Sequence, residues 1–168
     1  MVKFNGLSKE LILVRHAKSS WDYEASDKDR PLKERGIRDA HLVSRHLEGK
    51  LDKTAIVFSS PANRALHTCM IFLRNCNIPL TKLTVTDELY DFGGDRVIKF
   101  LNSLDDDYKS VMIFGHNHAF TSIVNTFGNT YIDNVPTSGV VVIKFDTDKW
   151  KVISKGETKL VTFPKHLK

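Results

Sequence analysis

The sequence predicts an α/β fold, a three-layer α/β/α sandwich with a mostly parallel central sheet, in a single domain over residues 1–168. Two observations support this prediction. Short apolar runs alternate with stretches in which apolar residues recur at helical spacing, an order typical of helices packed against a parallel sheet. In addition, the runs at 11–14, 55–58 and 111–114 are apolar throughout, as in strands that are covered on both faces.

The apolar runs predict five strands and a possible sixth. In chain order they are Leu11–Val14, Ala55–Phe58, Leu83–Val85, Val111–Phe114, Val140–Phe145 and, as the possible sixth, Lys151–Ser154. Ligands of such folds bind beyond the carboxyl ends of the strands, so the residues that follow the strands are where we expect the chemistry.

Four helices are predicted between the strands. The first covers the helically spaced apolar positions from 37 to 47. The second begins with Ser60 as its N-cap and Pro61 as its first residue, because proline is favoured at that position. The third begins with the apolar positions 97, 98 and 101, after Gly93-Gly94-Asp95, and the fourth ends at Gly128, a residue typical of helix C-termini.

Composition and charge exclude some classes of function. Of the 168 residues, 41% are hydrophobic and 27% charged, as in ordinary globular proteins. The run Leu11–Val14 is far too short for a membrane span or a signal peptide. Residues 149–168 contain six lysines and one acid, Glu157, which accounts for the whole formal charge of +5. We therefore expect a cytoplasmic protein that binds neither nucleic acid nor membrane, with a solvated lysine-rich tail.

Basic side chains follow three of the predicted strands. Arg15 and His16 follow the first strand, Arg64 the second and His116 the fourth. If these strands are parallel neighbours, the four side chains meet at one edge of the sheet, where an anion between them would offset their mutual repulsion. A phosphoryl group fits best, since its oxygens match the planar guanidinium. Asn117 is a further candidate for substrate binding, because a helix N-terminus nearby directs partial positive charge at an anion.

Three motifs in this order resemble the histidine phosphatase superfamily, also called phosphoglycerate mutase-like. They are Arg15-His16 after a hydrophobic strand, Ser60-Pro61-x-x-Arg64-Ala65-x-x-Thr68, and Gly115-His116. The match covers most of the chain, from about residue 11 to residue 145. The short chain and the stretch Ser26-Asp27-x-x-Arg30-Pro31-Leu32 are similar to the SixA-like branch, the phosphohistidine phosphatases.

The resemblance implies a phosphatase with a covalent intermediate. His16 would attack phosphorus and become a phosphohistidine, which water then hydrolyses. Arg15, Arg64 and His116 would bind the equatorial oxygens of the phosphoryl group. Since the arginines already neutralise the charge of the phosphoryl group, we expect neither a metal ion nor another cofactor.

Two positions beyond His16 are candidates for substrate binding by the same resemblance. Ser19 falls where the family usually has Thr, Ser or Glu, and a hydroxyl there can donate to phosphate. Asp22 falls where many members have Asn. Because a carboxylate repels phosphate, we expect Asp22 either to pair with a cation such as Lys18 or Arg30, or to turn away.

The proton donor is Asp91, Glu88 or neither. Larger members of the family use a carboxylate in a Leu-x-Glu pattern; Leu89-Tyr90-Asp91 fits it with a shorter acid, and Glu88 lies nearby. An alkoxide leaves badly without a proton, whereas the imidazole of phosphohistidine, with a pKa of about 6.5, leaves readily. A weak or displaced acid would therefore favour phosphohistidine or another phosphoramidate as the substrate. With few residues left for a lid, a phosphorylated protein could enter as well as a small phosphorylated substrate.

Three other interpretations remain to be tested. A zinc ion on His16, His116 and His118 would be repelled by the two arginines expected in the same cleft. A catalytically idle phosphate-binding domain would be expected to lack His16 or Arg64, and the chain has both. Phosphoglycerate mutase-like or general phosphomonoesterase activity is the enzymatic alternative, although a mutase usually has longer insertions. We expect a monomer.

Overall fold

The computed structural model describes residues 7–168 and shows the expected alternation of strands and helices. The strands are β1 (Lys9–Arg15), β2 (Ile56–Ser59), β3 (Leu83–Val85), β4 (Ser110–Gly115), β5 (Val140–Phe145) and β6 (Glu157–Thr162). The α-helices are α1 (Glu34–His46), α2 (Asn63–Asn75), α3 (Asp95–Asn102) and α4 (Ala119–Phe127). Within the described range, no helix is long and apolar enough to cross a membrane.

The strands form one sheet in the order β3-β2-β4-β1-β5-β6. The first four strands of this order are parallel to one another. Strand β5 pairs antiparallel with β1, and β6 pairs antiparallel with β5. The prediction of a mostly parallel sheet is confirmed. Arg15 pairs with Gly115, and Ser59 pairs with Phe114. The carboxyl ends of β1, β2 and β4 therefore lie side by side at one edge of the sheet.

Helices cover both faces of the sheet, as the predicted three-layer sandwich requires. Ile12 and Val14 of β1 belong to a core cluster with residues of α1 and α2. Leu11 and Leu13 belong to a second cluster with residues of α3 and α4. All four side chains are fully buried, because alternate residues of a strand point to opposite faces and both faces are covered.

The predicted strand at 151–154 is wrong. Trp150–Val152 form a short 3-10 turn, and the last strand is β6, which pairs antiparallel with β5. The side chain of Trp150 is fully buried, and its indole N–H donates to the carbonyl of Tyr108 at 2.8 Å. The turn therefore follows from the burial of this one large side chain. Since β6 is part of the sheet, the lysine-rich end is not a solvated tail.

The predicted start of α2 is also wrong. The helix begins at Asn63 with Ala62 as its N-cap, and Ser60 and Pro61 precede it. The hydroxyl of Ser60 instead lies 2.8 Å from Nε2 of His116, on the neighbouring strand end. The same hydroxyl also accepts from the N–H of Ala62 at 3.3 Å, so Ser60 bonds both the chain just before α2 and His116, although it is not the N-cap of the helix.

Candidate active site

His16 follows β1 and is only 7% exposed. Its Nδ1 lies 2.7 Å from the carbonyl oxygen of Ala17. Because a carbonyl only accepts hydrogen bonds, Nδ1 carries the proton and Nε2 keeps the lone pair. Burial, with the nearby charges of Arg64 and Arg15, lowers the pKa of His16 well below the usual 6.5. The ring is therefore neutral at pH 7, with one nitrogen ready to act as a nucleophile.

The backbone after β1 is held in place from two sides. The N–H of Ala17 donates to the hydroxyl of Thr68 at 2.8 Å, and this hydroxyl donates to the carbonyl of Arg64 at 2.7 Å. On the other side, Gly36 of α1 lies so close to Lys18 that a Cβ at this position would overlap the Lys18 backbone. These contacts fix the chain that carries His16 relative to α1 and α2.

The two arginines are bonded to the protein on their outer nitrogens. Arg64 is 2% exposed, and its Nη1 and Nη2 donate to the carbonyl and the carboxylate of Asp27 at 2.6 and 3.0 Å. Nη1 of Arg15 donates to the carbonyl of Val135 at 2.9 Å. The Nε atom of each arginine is buried without a hydrogen-bond partner in the described part of the chain.

His116 is 1% exposed and follows β4. Its Nε2 is bonded to the hydroxyl of Ser60, whereas its Nδ1 is buried without a partner among residues 7–168. Its ring centroid lies 5.2 Å from that of His16. Burial and the neighbouring charge of Arg64 lower the pKa of His116 to about 3, so this ring is also neutral at pH 7.

The structure therefore brings together Arg15, His16, Arg64 and His116, the four residues with the strongest sequence prediction. Three of them have a buried nitrogen that lacks a partner among the described residues. Buried polar groups are rarely left unpaired. Three unpaired buried nitrogens near the carboxyl ends of neighbouring parallel strands therefore indicate a ligand site. A tetrahedral oxyanion such as phosphate can accept from the two Nε atoms, and also from Nδ1 of His116 in the tautomer in which Nε2 accepts from the hydroxyl of Ser60. It would offset the repulsion between the guanidinium groups.

Asp27 was not among the predicted site residues, although it stands in the stretch that suggested the SixA-like branch. Its backbone carbonyl and its carboxylate each accept a hydrogen bond from Arg64, and the carboxylate also accepts one from the hydroxyl of Tyr90. Burial raises the pKa of Asp27, but the hydrogen bonds from Tyr90 and Arg64 outweigh it and lower the pKa to about 2. The ionised carboxylate of Asp27 therefore lies against the outer nitrogens of Arg64.

The predicted ligands Ser19 and Asp22 have different surroundings. The hydroxyl of Ser19 is buried and accepts from Nη1 of Arg30 at 2.8 Å. Asp22 is exposed, and Arg30 pairs instead with Asp27 at 3.3 Å. Of the two arrangements expected for Asp22, the structure shows the one in which the residue turns away.

Both ends of the Asn117 amide are bonded to other residues. The oxygen accepts from the backbone and hydroxyl of Thr121, and the nitrogen donates to Asn134 at 2.7 Å. His118 is exposed at the start of α4. Among residues 7–168, no group of three or more His, Cys, Asp or Glu side chains could hold a metal ion.

The two candidate acids also have other partners. The carboxylate of Asp91 accepts four backbone N–H groups at 3.0–3.2 Å, those of Gly93, Gly94, Arg96 and Val97. It thereby caps the N-terminus of α3. Glu88 lies 3.6 Å from Arg96, and both side chains are half exposed. In the described structure, neither carboxylate is bonded to the four residues of the strand edge.

Two aromatic rings lie beside His116 on the side of these acids. The centroids of Tyr90 and Phe92 lie 5.5 and 4.9 Å from that of His116. Phe92 is 44% exposed. The buried unpaired nitrogens thus lie next to partly exposed aromatic rings.

Comparison with known proteins identifies the family. The family model of the histidine phosphatase superfamily (branch 1) matches residues 11–93, a range that includes Arg15, His16 and Arg64. The chain belongs to this superfamily. It is 29% identical over 160 residues to an uncharacterized protein of Mycobacterium tuberculosis, covering 89% of this chain and 98% of the relative.

Two further matches represent different activities within the superfamily. The protein histidine phosphatase SixA, solved as a complex with tungstate, superposes with a TM-score of 0.79 over 95% of this chain and 99% of SixA, at 24% identity. A phosphoglycerate mutase of Schizosaccharomyces pombe is 33% identical over 89 residues, which are 51% of this chain and 42% of the mutase. The predicted resemblance is confirmed, and the fold is SixA-like.

Proposed function

We propose that the protein is a phosphatase that forms a phosphohistidine on His16 and hydrolyses phosphohistidine in proteins or other phosphoramidates. The observation that carries the proposal is the asymmetry of the site. Buried nitrogens without partners line the place of the phosphoryl group, whereas both candidate acids are bonded elsewhere in the described structure. As the sequence predicts, we take the chain to be a single histidine phosphatase domain that acts as a cytoplasmic monomer.

The reaction proceeds in two displacements at phosphorus. In the first, Nε2 of His16 donates its lone pair to phosphorus, and the bond from phosphorus to the leaving nitrogen breaks with its electron pair. The other ring nitrogen of the substrate phosphohistidine carries a proton, so the leaving group departs as neutral imidazole. In the second, the oxygen of a water molecule attacks the phosphohistidine, which restores neutral His16 and releases inorganic phosphate. Arg15, Arg64 and His116 hold the equatorial oxygens in both steps, and their contribution is electrostatic and positional.

The leaving group decides which substrates such a site can process. An alkoxide requires a proton from a general acid as its bond to phosphorus breaks. The imidazole of phosphohistidine has a pKa of about 6.5 in its free form, so it leaves without a dedicated acid. Because Asp91 caps α3 and Glu88 pairs with Arg96, the site is better suited to the second kind of leaving group.

General phosphomonoesterase or mutase-like activity on small phosphoesters is the alternative. It is favoured by the identity with the phosphoglycerate mutase over 89 residues. Under this alternative, Asp91 or Glu88 would have to release its present partners and protonate the leaving oxygen when substrate binds. The two functions thus differ in whether an acid is needed.

Two measurements test the proposal. The protein is first incubated with a phosphoryl donor labelled with ³²P and quenched in base, where phosphohistidine survives and an acyl phosphate does not. We expect label on His16 and none in His16→Asn; turnover without label on His16 would overturn the mechanism. Turnover of a phosphohistidine protein, an aryl phosphate and a sugar phosphate is then compared. A preference for the sugar phosphate would favour the alternative, and no turnover at all would favour an idle phosphate-binding domain.

A further inference from the structure

The contacts of Asp27 give this residue a role that the four-residue site does not explain. We propose that Asp27 is a positioning residue, which holds the guanidinium of Arg64 by its outer nitrogens so that Nε remains free for the phosphoryl group. The inference rests on the proposed function only for its kinetic test, since the orientation of Arg64 can be measured with inorganic phosphate alone.

Asp27 contacts the guanidinium through two different oxygens. Its backbone carbonyl accepts from Nη1 of Arg64 at 2.6 Å, and its carboxylate oxygen Oδ2 accepts from Nη2 at 3.0 Å. The Nε of Arg64 is buried and lacks a partner in the described chain. Two contacts on one planar group fix its orientation as well as its position, which a single contact would not do.

The carboxylate is itself fixed by two further donors. Tyr90 donates its hydroxyl to Oδ2, and Nε of Arg30 lies 3.3 Å from Oδ1. Tyr90 lies in the connection between β3 and α3, and Arg30 in the connection between β1 and α1, whereas Arg64 lies in α2. Asp27 thus joins three segments that are distant in sequence.

The segment that carries Asp27 is folded back toward α2. The N–H of Ser20 donates to the carbonyl of Pro31 at 2.8 Å, which closes the segment at its base. At its tip, the amide of Asn63 donates to the carbonyl of Asp29 at 3.0 Å. The position of the 3-10 turn Asp27–Asp29 over the start of α2 therefore does not depend on the carboxylate of Asp27 alone.

Fixing Arg64 in advance has a clear catalytic advantage. An arginine side chain has considerable rotamer entropy, and a guanidinium that is already oriented loses less of it when the ligand binds. Stabilisation of the transition state is largest when the donors need no reorganisation during the reaction. The negative charge of Asp27 is shared among Arg64, Arg30 and Tyr90, so it stabilises the arginines rather than repelling phosphate.

The kinetic test compares Asp27→Asn with Asp29→Asn, an exposed residue of the same turn whose carboxylate accepts only from Ser26 among the described contacts. With an aryl phosphate or phosphohistidine substrate, we expect Asp27→Asn to lower kcat by tenfold or more and to change KM by less than threefold. Asp29→Asn should leave both constants unchanged. Equal kcat values in the two variants would overturn the inference.

The binding test follows the Nε–H of Arg64 by ¹⁵N–¹H NMR, with Arg64→Lys to assign the signal. In the wild type we expect one sharp signal that shifts when inorganic phosphate is added, and in Asp27→Asn a broadened signal with little shift. An unchanged signal and shift in Asp27→Asn would contradict the inference. If the wild type hydrolyses no substrate, the proposed function fails while this test still decides the role of Asp27.

Tyr90→Phe is a second variant that tests the inference even if Asp27→Asn does not fold. It removes one hydroxyl from the carboxylate and keeps the ring beside His116. We expect a smaller fall in kcat than in Asp27→Asn, about threefold, together with partial broadening of the Arg64 signal. Wild-type kinetics and a wild-type signal in Tyr90→Phe, with Asp27→Asn unfolded, would also count against the inference.

Discussion

The two sides of the site differ in how their polar groups are used. On the phosphoryl side, Arg15, Arg64 and His116 are each bonded to the protein through one part of the side chain and keep a buried nitrogen that lacks a partner in the described structure. On the leaving-group side, from residue 88 to residue 92, the two carboxylates are bonded to α3 and Arg96, and aromatic rings lie next to the site.

Under the proposed function, this difference indicates which step the site assists. The phosphoryl side has its donors in place before any ligand binds, as electrostatic catalysis requires. On the leaving-group side, the carboxylates of Asp91 and Glu88 are bonded to the start of α3 and to Arg96. A substrate that supplies its own good leaving group suits such a site, which is the physical basis for proposing phosphoramidates.

The largest expected effect tests whether the phosphoryl side contains the nucleophile. Because the proposed intermediate forms on His16, we expect His16→Asn to lower kcat by about 10⁴-fold or more, as removal of a nucleophile does in other hydrolases. Steady-state turnover of an aryl phosphate measures the loss. The control is His118→Asn, an exposed histidine at the start of α4. If both variants lose activity equally, the assignment of His16 is wrong.

The next effect tests the pre-organised charge on the same side. Arg64→Ala should lower kcat by about 10²- to 10³-fold, the range found when one donor to a developing oxyanion is removed. Arg74→Ala, at the exposed C-terminal end of the same helix, is the matched control. Equal activity of the two variants would mean that Arg64 has no role in binding the phosphoryl group.

Burial of the phosphoryl side should also make the protein sensitive to acid. Burial lowers the pKa of His116 to about 3 in the folded state, against 6.5 for the free side chain. As the pH falls from about 6.5 toward about 3, the unfolded chain binds a proton that the folded chain does not, so stability falls by up to about 1.4 kcal/mol per pH unit.

Urea unfolding at several pH values between 7 and 4 measures this slope. The free energy of unfolding of His116→Gln should fall less steeply with decreasing pH than that of the wild type, because the variant lacks one of the groups whose pKa is lowered by burial. If the free energy of unfolding of His116→Gln falls as steeply with pH as that of the wild type, burial does not keep His116 neutral.

The smallest expected effect on rate concerns the two acids. Glu88→Gln should change aryl phosphate turnover by less than twofold. Asp91→Ala should lower the free energy of unfolding by about 1 kcal/mol, because it removes the cap of α3, with only a small change in kcat of the folded enzyme. Turnover and urea unfolding of both variants check this. A hundredfold loss of kcat in either variant would identify a proton donor and favour phosphoester substrates.

The predictable parts of the molecule share one property, which is that their signal is local in sequence. The apolar runs of β1 and β4 and the spacing of α1 can be read from neighbouring residues, and Arg15 and His16 directly follow a buried strand. Ser60 shows the limit of such patterns. It precedes a helix and resembles a cap, yet its hydroxyl bonds His116, 56 residues further along the chain.

The amino-acid sequence by itself determined the α/β class and the four side chains at the ends of the strands, because alternation and strand-end position are local properties. Three motifs in the sequence carried the resemblance to the superfamily. Only the tertiary structure decided that Asp27 lies behind Arg64, that Asp91 caps α3 and that the last strand follows Trp150. The physical reason is that a polar side chain takes whichever partner the fold brings near. Arg64 and Tyr90 contact Asp27 although they are 37 and 63 residues away in sequence, a separation at which no spacing rule applies.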